Sequence, residues 1–196
     1  MRRALELLLV SLALSGAAQA VTYIMKQLPD LPGGPGGGGA VAINEKGQIA
    51  GIMRDANNNE RAVVWDGKGN ITDLGTLPGH CVSWAADMND AGQVVGWSSE
   101  AGNRNKHAVL WQADGKIVDL GMLEGWLSAA NAINNKGHVV GYFILKEKGA
   151  HAFLWKPETG MQDLGVLEGC THSSADDTND AGLSDIAQAH LRICTR

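Results

Sequence analysis

The chain has 196 residues, a formal net charge of -5, 26 glycines, and only 5% aromatic residues, of which tryptophan is the commonest with 6 copies. That length suffices for one domain with a real core, and glycine-rich, tryptophan-punctuated chains with little helical patterning lean towards all-β architecture. No basic stripe occurs, which argues against a nucleic-acid partner.

The first twenty residues read as a secretory signal peptide rather than as part of the fold. Arg2 and Arg3 form the charged start, Leu7 to Leu14 the apolar stretch, and Ala18-Gln19-Ala20 a small-x-small cleavage site, with the cut expected after Ala20. Their loss takes the mature charge from -5 to -6. No later stretch is apolar enough to span a membrane, so a secreted or periplasmic location is expected. The segment Tyr23 to Leu31 reads as a leading strand.

From there a period of about 45 residues organises the chain. Asn44-Glu45-Lys46-Gly47 recurs as Asn89-Asp90-Ala91-Gly92, Asn134-Asn135-Lys136-Gly137 and Asn179-Asp180-Ala181-Gly182. In the first copy, about 35–79, Ala40 to Ile43 is a strand. The Asn-x-x-Gly turn follows, with a glycine able to take positive φ, and Gln48 to Gly51 is the returning strand. After the polar loop Arg54 to Glu60, Arg61-Ala62-Val63-Val64-Trp65 is apolar on both faces, as a central buried strand would be. Asp66 to Asn70 turns the chain, and Ile71 to Leu74 alternates as a half-exposed strand. The copies at about 80–125 and 126–169 repeat this succession with His107-Ala108-Val109-Leu110-Trp111 and His151-Ala152-Phe153-Leu154-Trp155, each closing on Asp-Leu-Gly at Asp73, Asp119 and Asp163. Four strands per copy is the content of one β-propeller blade. The expected fold is all-β: tandem four-stranded repeats, propeller-like, with about three blades and partial ends.

A partial copy occupies 170–182, and the tail 183–196 departs from the pattern. Leu183, Ile186, His190, Leu191 and Ile193 could lie along one side of a short helix. The expectation is a truncated or frame-shifted form of a longer array, the alternative being a short variant with a helical cap. An open array leaves unpaired strand edges, so self-association is expected.

These motifs carry a resemblance. Over roughly Tyr23 to Gly182 the chain resembles the extracellular repeat family named for its His-Ala-Phe tripeptide, the HAF repeat. His151-Ala152-Phe153-Leu154-Trp155 is the closest copy. His107-Ala108-Val109 departs at the third position and Arg61-Ala62-Val63 at two. The Asn-x-x-Gly turns and the segments Asp73 to Gly79 and Asp119 to Gly125 also fit, and Leu28 to Gly33 is a degenerate version of the latter. The resemblance implies an exported bacterial repeat protein with a propeller-like fold and implies no activity.

Recurrence sorts the candidate residues. A catalytic group occurs once, whereas a structural hydrogen bond recurs in every blade. Asn44, Asn89, Asn134 and Asn179, with Asp73, Asp119, Asp163, His107 and His151, are therefore expected to satisfy backbone groups at turns and between strands. Trp65, Trp111 and Trp155 are expected core. Calcium is disfavoured at Asp87-x-Asn89 and Asp177-x-Asn179, because Ala91 and Ala181 stand where a third oxygen ligand belongs, and no metal or cofactor is expected. The cysteines Cys81, Cys170 and Cys194 lack metal or redox spacing and read as incidental, although an exported chain permits a disulfide.

Two sets remain as site candidates. His172, Ser173, Ser174 and Asp176 form the densest reactive cluster and would serve a secreted hydrolase of esters or glycosides. Neighbours on a strand alternate faces, however, so sequence proximity makes no triad. Trp84 and Trp126, read as lying in connections between copies, and Trp97 and Tyr142, at matching positions after the Val-Val-Gly strands, could form platforms for a cell-surface glycan or protein. Packing of blade against blade is the favoured reading of these four aromatics, and the platform is the alternative. A binding or structural module without enzyme activity is the preferred reading.

Overall fold

The computed structural model describes residues 27–123, 125–146, 149–180 and 191–193. The signal peptide, residues 23–26 of the expected leading strand and most of the tail lie outside the described residues, and residues 27–31, expected in that strand, pair with no neighbouring described strand but pack over the first sheet through Leu28 and Leu31. Three four-stranded antiparallel sheets follow one another, each with its strands in chain order. The first comprises β1 (Gly39–Ile43), β2 (Ile49–Arg54), β3 (Glu60–Trp65) and β4 (Ile71–Asp73). The second comprises β5 (Val82–Met88), β6 (Val94–Ser99), β7 (His107–Trp111) and β8 (Ile117–Gly121). The third comprises β9 (Gly125–Ile133), β10 (Val139–Leu145), β11 (Gly149–Lys156) and β12 (Gly160–Gly165). Each sheet is one sequence copy, and the architecture is all-β and propeller-like. A two-stranded sheet of β13 (Ser173–Ala175) and β14 (Leu191–Ile193) opens a fourth unit. Residues 191–193, expected within a helical face, are thus in a strand. Pairing with β13 satisfies backbone groups that an isolated short helix would leave at its ends.

The cores lie between consecutive sheets. Ala50 and Ala62 of the first sheet meet Ala85, Met88 and Trp111 of the second. Val95 and Leu110 of the second meet Ala130, Ile133 and Phe143 of the third, and Val140 and Ala152 of the third meet Ala175 of β13. Alanines at these positions let the sheets approach closely, which is why the segments carrying them lack the bulky alternation of ordinary strands. The outer face of the first sheet is covered by the chain's own Leu28 and Leu31, which pack with Val63 and Trp65. Trp65 and Trp111 are each 1% exposed. Trp155, expected in the core, is only half-buried against it.

Candidate functional site

The recurring polar residues form bonds between copies. Each turn asparagine donates its side-chain amide to the backbone carbonyl of the next one: Asn44 to Asn89 at 3.2 Å, Asn89 to Asn134 at 3.1 Å and Asn134 to Asn179 at 2.9 Å. Within their own turns, Asn44 and Asn134 accept backbone N–H groups two and four residues on through Oδ1, and Asn89 accepts from Gln93. A second ladder runs beside the first. The backbone N–H groups of Glu45, Asp90 and Asn135 donate to the side chains of Asp90, Asn135 and Asp180. Bonds from the Asn135 backbone and side-chain amides, in that order, hold the Asp180 carboxyl below its ordinary value.

Within each copy, the aspartate of Asp-Leu-Gly pairs with the residue heading the tryptophan strand. Arg61 reaches Asp73 at 3.1 Å, His107 reaches Asp119 at 2.8 Å and His151 reaches Asp163 at 3.0 Å. Each aspartate also accepts the N–H of its glycine, Gly75, Gly121 or Gly165.

The hydrolase cluster falls into the same network. Ser173 stands one period after Ser128 and two after Ser83, and all three are fully buried or nearly so. Their hydroxyls accept the backbone N–H of Ala62, Ala108 and Ala152 of the preceding copy at 3.0, 2.9 and 2.8 Å. Ser128 and Ser173 also donate to the carbonyls of Gly121 and Gly165. His172 Nδ1 lies 2.7 Å from the Thr171 hydroxyl, and Ser174 donates to Asp176. No serine–histidine bond joins the four candidates among the described residues, and Ser173 has its hydroxyl committed on both sides. Recurrence of serine at 83, 128 and 173 was visible in the chain, but only stacking reveals its partner.

Asp87 accepts Ile133 N–H from the next sheet at 2.9 Å, and its other oxygen accepts Met88 N–H. Burial, the dominant cause, raises its carboxyl above the ordinary value, with the Asp177 charge adding to the rise. Neither this residue nor any other described one belongs to a group of three or more His, Cys, Asp or Glu side chains fit to hold a metal ion. Cys81 is a free thiol, whereas Cys170 is disulfide-bonded, so the latter is not incidental.

The aromatic candidates sit differently from expectation. Trp84 and Trp126 belong to β5 and β9 rather than to connections, because their alanine- and serine-rich surroundings fit the close sheet packing described above. Trp84 and Trp97 are cross-strand partners whose rings stack at 5.8 Å with a 7° interplanar angle, and the Lys106 ammonium lies 4.0 Å from the Trp97 ring centroid. Burial lowers the Lys106 pKa. Trp126 is 64% exposed, and Tyr142, on β10, is half-buried with its hydroxyl pKa raised by burial.

Trp84 also walls a groove of about 660 Å³ that the sequence did not disclose. Its other borders are the glycine-rich segment 35–41, Ile52, Arg54, Asn58 and Glu60. The residues paired at this level in the three sheets are Gly39 with Ile52, Trp84 with Trp97 and Ala129 with Tyr142. The repeat therefore does not require the tryptophan pair, and the glycine at 39 leaves open the space that Trp84 fills in its own copy. A Cβ at Gly38 would run into the Ile52 carbonyl, so this segment lies against β2 only because it lacks side chains.

No protein-family model matches the chain, and no curated protein matches it. Among solved structures, TolB from Acinetobacter baumannii is similar at a TM-score of 0.49 and 12% identity. The likeness covers 76% of this chain and 35% of that one, so the chain spans about a third of its length.

Proposed function

We propose that this chain is an exported binding module of HAF-type repeats, and that its ligand surface is the groove beside Trp84. One observation carries the reading. The recurring asparagine, aspartate, histidine and serine side chains are engaged in bonds that build or stack the copies, while Trp84, one of a copy-specific aromatic pair, borders open space. Binding groups placed on a rigid repeat scaffold are free to differ from copy to copy, whereas the scaffold's own bonds must recur. Export is supported by the charged, apolar and small-residue order of residues 1–20 and by the disulfide at Cys170. The exposed Ile43 of the first copy supports self-association through that copy.

The competing hydrolase reading is tested by incubating the purified chain with chromogenic esters and glycosides. No turnover above buffer is expected. Turnover that disappears in Ser173→Ala or His172→Ala, with the circular dichroism spectrum retained, would replace the binding module with an enzyme.

A further inference from the structure

We propose that the Trp84 groove takes one sugar ring of a short, neutral oligosaccharide. This rests on the binding-module reading and adds the ligand class. The offset stack runs from Trp84 through Trp97 to the Lys106 ammonium and holds the Trp84 ring in place, and Trp84 also lines the groove. A large flat apolar surface, held rigid from behind, suits the C–H face of a pyranose ring. It also costs little ordering on binding, because the indole is already fixed.

The rest of the lining supplies what hydroxyl groups need. Arg54, Asn58 and Glu60 present planar donors and acceptors at the rim, and Arg54 already donates to Asn58 Oδ1 at 3.0 Å, which fixes the pair. Arg54 and Glu60 face each other as register partners of β2 and β3. The lining thus holds one positive and one negative side chain, which cancel, and an anionic ligand gains nothing from it. The volume, about 660 Å³, lies within the range of roughly 300–1,000 Å³ typical of small-ligand sites.

A peptide strand is the other ligand such a groove invites, since β1 is an edge strand. The pairing register of β1 shifts between Ala40 and Ala42, however, and a bulge there breaks the regular ladder that an added strand would extend. The glycine segment offers no pockets for alternate peptide side chains either. The groove therefore favours a ring that stacks over a strand that pairs.

Intrinsic tryptophan fluorescence and calorimetric titration of the purified chain decide the matter, with cellohexaose, xylohexaose, maltohexaose, chitohexaose, an oligogalacturonate and a proline-rich decapeptide as probes. At least one neutral hexasaccharide is expected to bind and shift the emission. Trp84→Ala should weaken that binding about tenfold or more, Trp84→Phe should retain part of it, and Trp126→Ala should leave it unchanged. The Phe variant guards against a folding defect in the Ala variant. No response to any neutral hexasaccharide, or binding that survives Trp84→Ala, overturns the proposal. Binding of the peptide alone, lost in Trp84→Ala, overturns the sugar assignment and leaves the binding module standing. Silence towards every probe together with ester or glycoside turnover removes both.

Discussion

Trp65 and Trp111 occupy the same position in successive copies and are equally buried, yet their indole N–H groups differ. Trp65 donates to the Pro29 carbonyl at 2.8 Å, whereas Trp111 Nε1 is buried with no partner among the described residues. The segments packed against the two rings differ. Residues 28–31 lie over Trp65, and Leu74 and Leu77 pack with Trp111, with Gly75 of the first copy at the position that Pro29 holds ahead of it. Replacing an indole by phenyl removes similar volume at both sites, but only at Trp65 does it break a bond. Trp65→Phe is expected to cost about 1 kcal/mol more unfolding free energy than Trp111→Phe, measured by urea denaturation. Equal costs would show that the Pro29 bond contributes nothing. The recurrence of tryptophan was legible in the chain; the unequal bonding was not, because it depends on backbone groups some 36 residues away.

Strands were legible wherever bulky apolar residues alternate or run together, and β3, β7 and β11 fall where the tryptophan segments predict them. The innermost alanine- and serine-rich strands were harder to read. Val82–Met88 looks like a connection because Ser83, Ala85 and Ala86 interrupt its apolar run, and Ala85 is small where the neighbouring sheet lies close. Asp87 shows what such a strand carries. Its carboxylate joins β5 to β9 through Ile133 N–H while burial raises its pKa. A raised folded-state pKa means the native state holds the proton more tightly than the unfolded chain does. The resulting destabilisation therefore grows as pH rises from the ordinary value of 3.8 through the raised one, and is complete above it. In Asp87→Asn this component disappears, so the melting temperature of the parent relative to the variant should rise as pH falls from neutral into the acidic range. A difference that is flat with pH would mean the buried carboxyl titrates normally.

At the scale of the molecule, three sheets stack in order, held by alanine-lined apolar contacts and by polar bonds spanning one period. Interior and terminal copies differ in what they cover. Met88 and Ile133 are buried by the preceding sheet, while Ile43 at the same position of the first copy is 68% exposed. The sequence disclosed the period, the turns and the identity of the recurring residues. It could not disclose the groove, which arises where a glycine-rich segment of one copy meets a tryptophan of the next. The recurring polar groups form the bonding scheme that holds copy to copy. Its most direct test is the urea unfolding of Ser128→Ala, at the position shared with Ser83 and Ser173. That change leaves the buried Ala108 N–H and the Gly121 carbonyl without their partner. A loss of about 1–3 kcal/mol in unfolding free energy is the predicted result, and a variant as stable as the parent would contradict it.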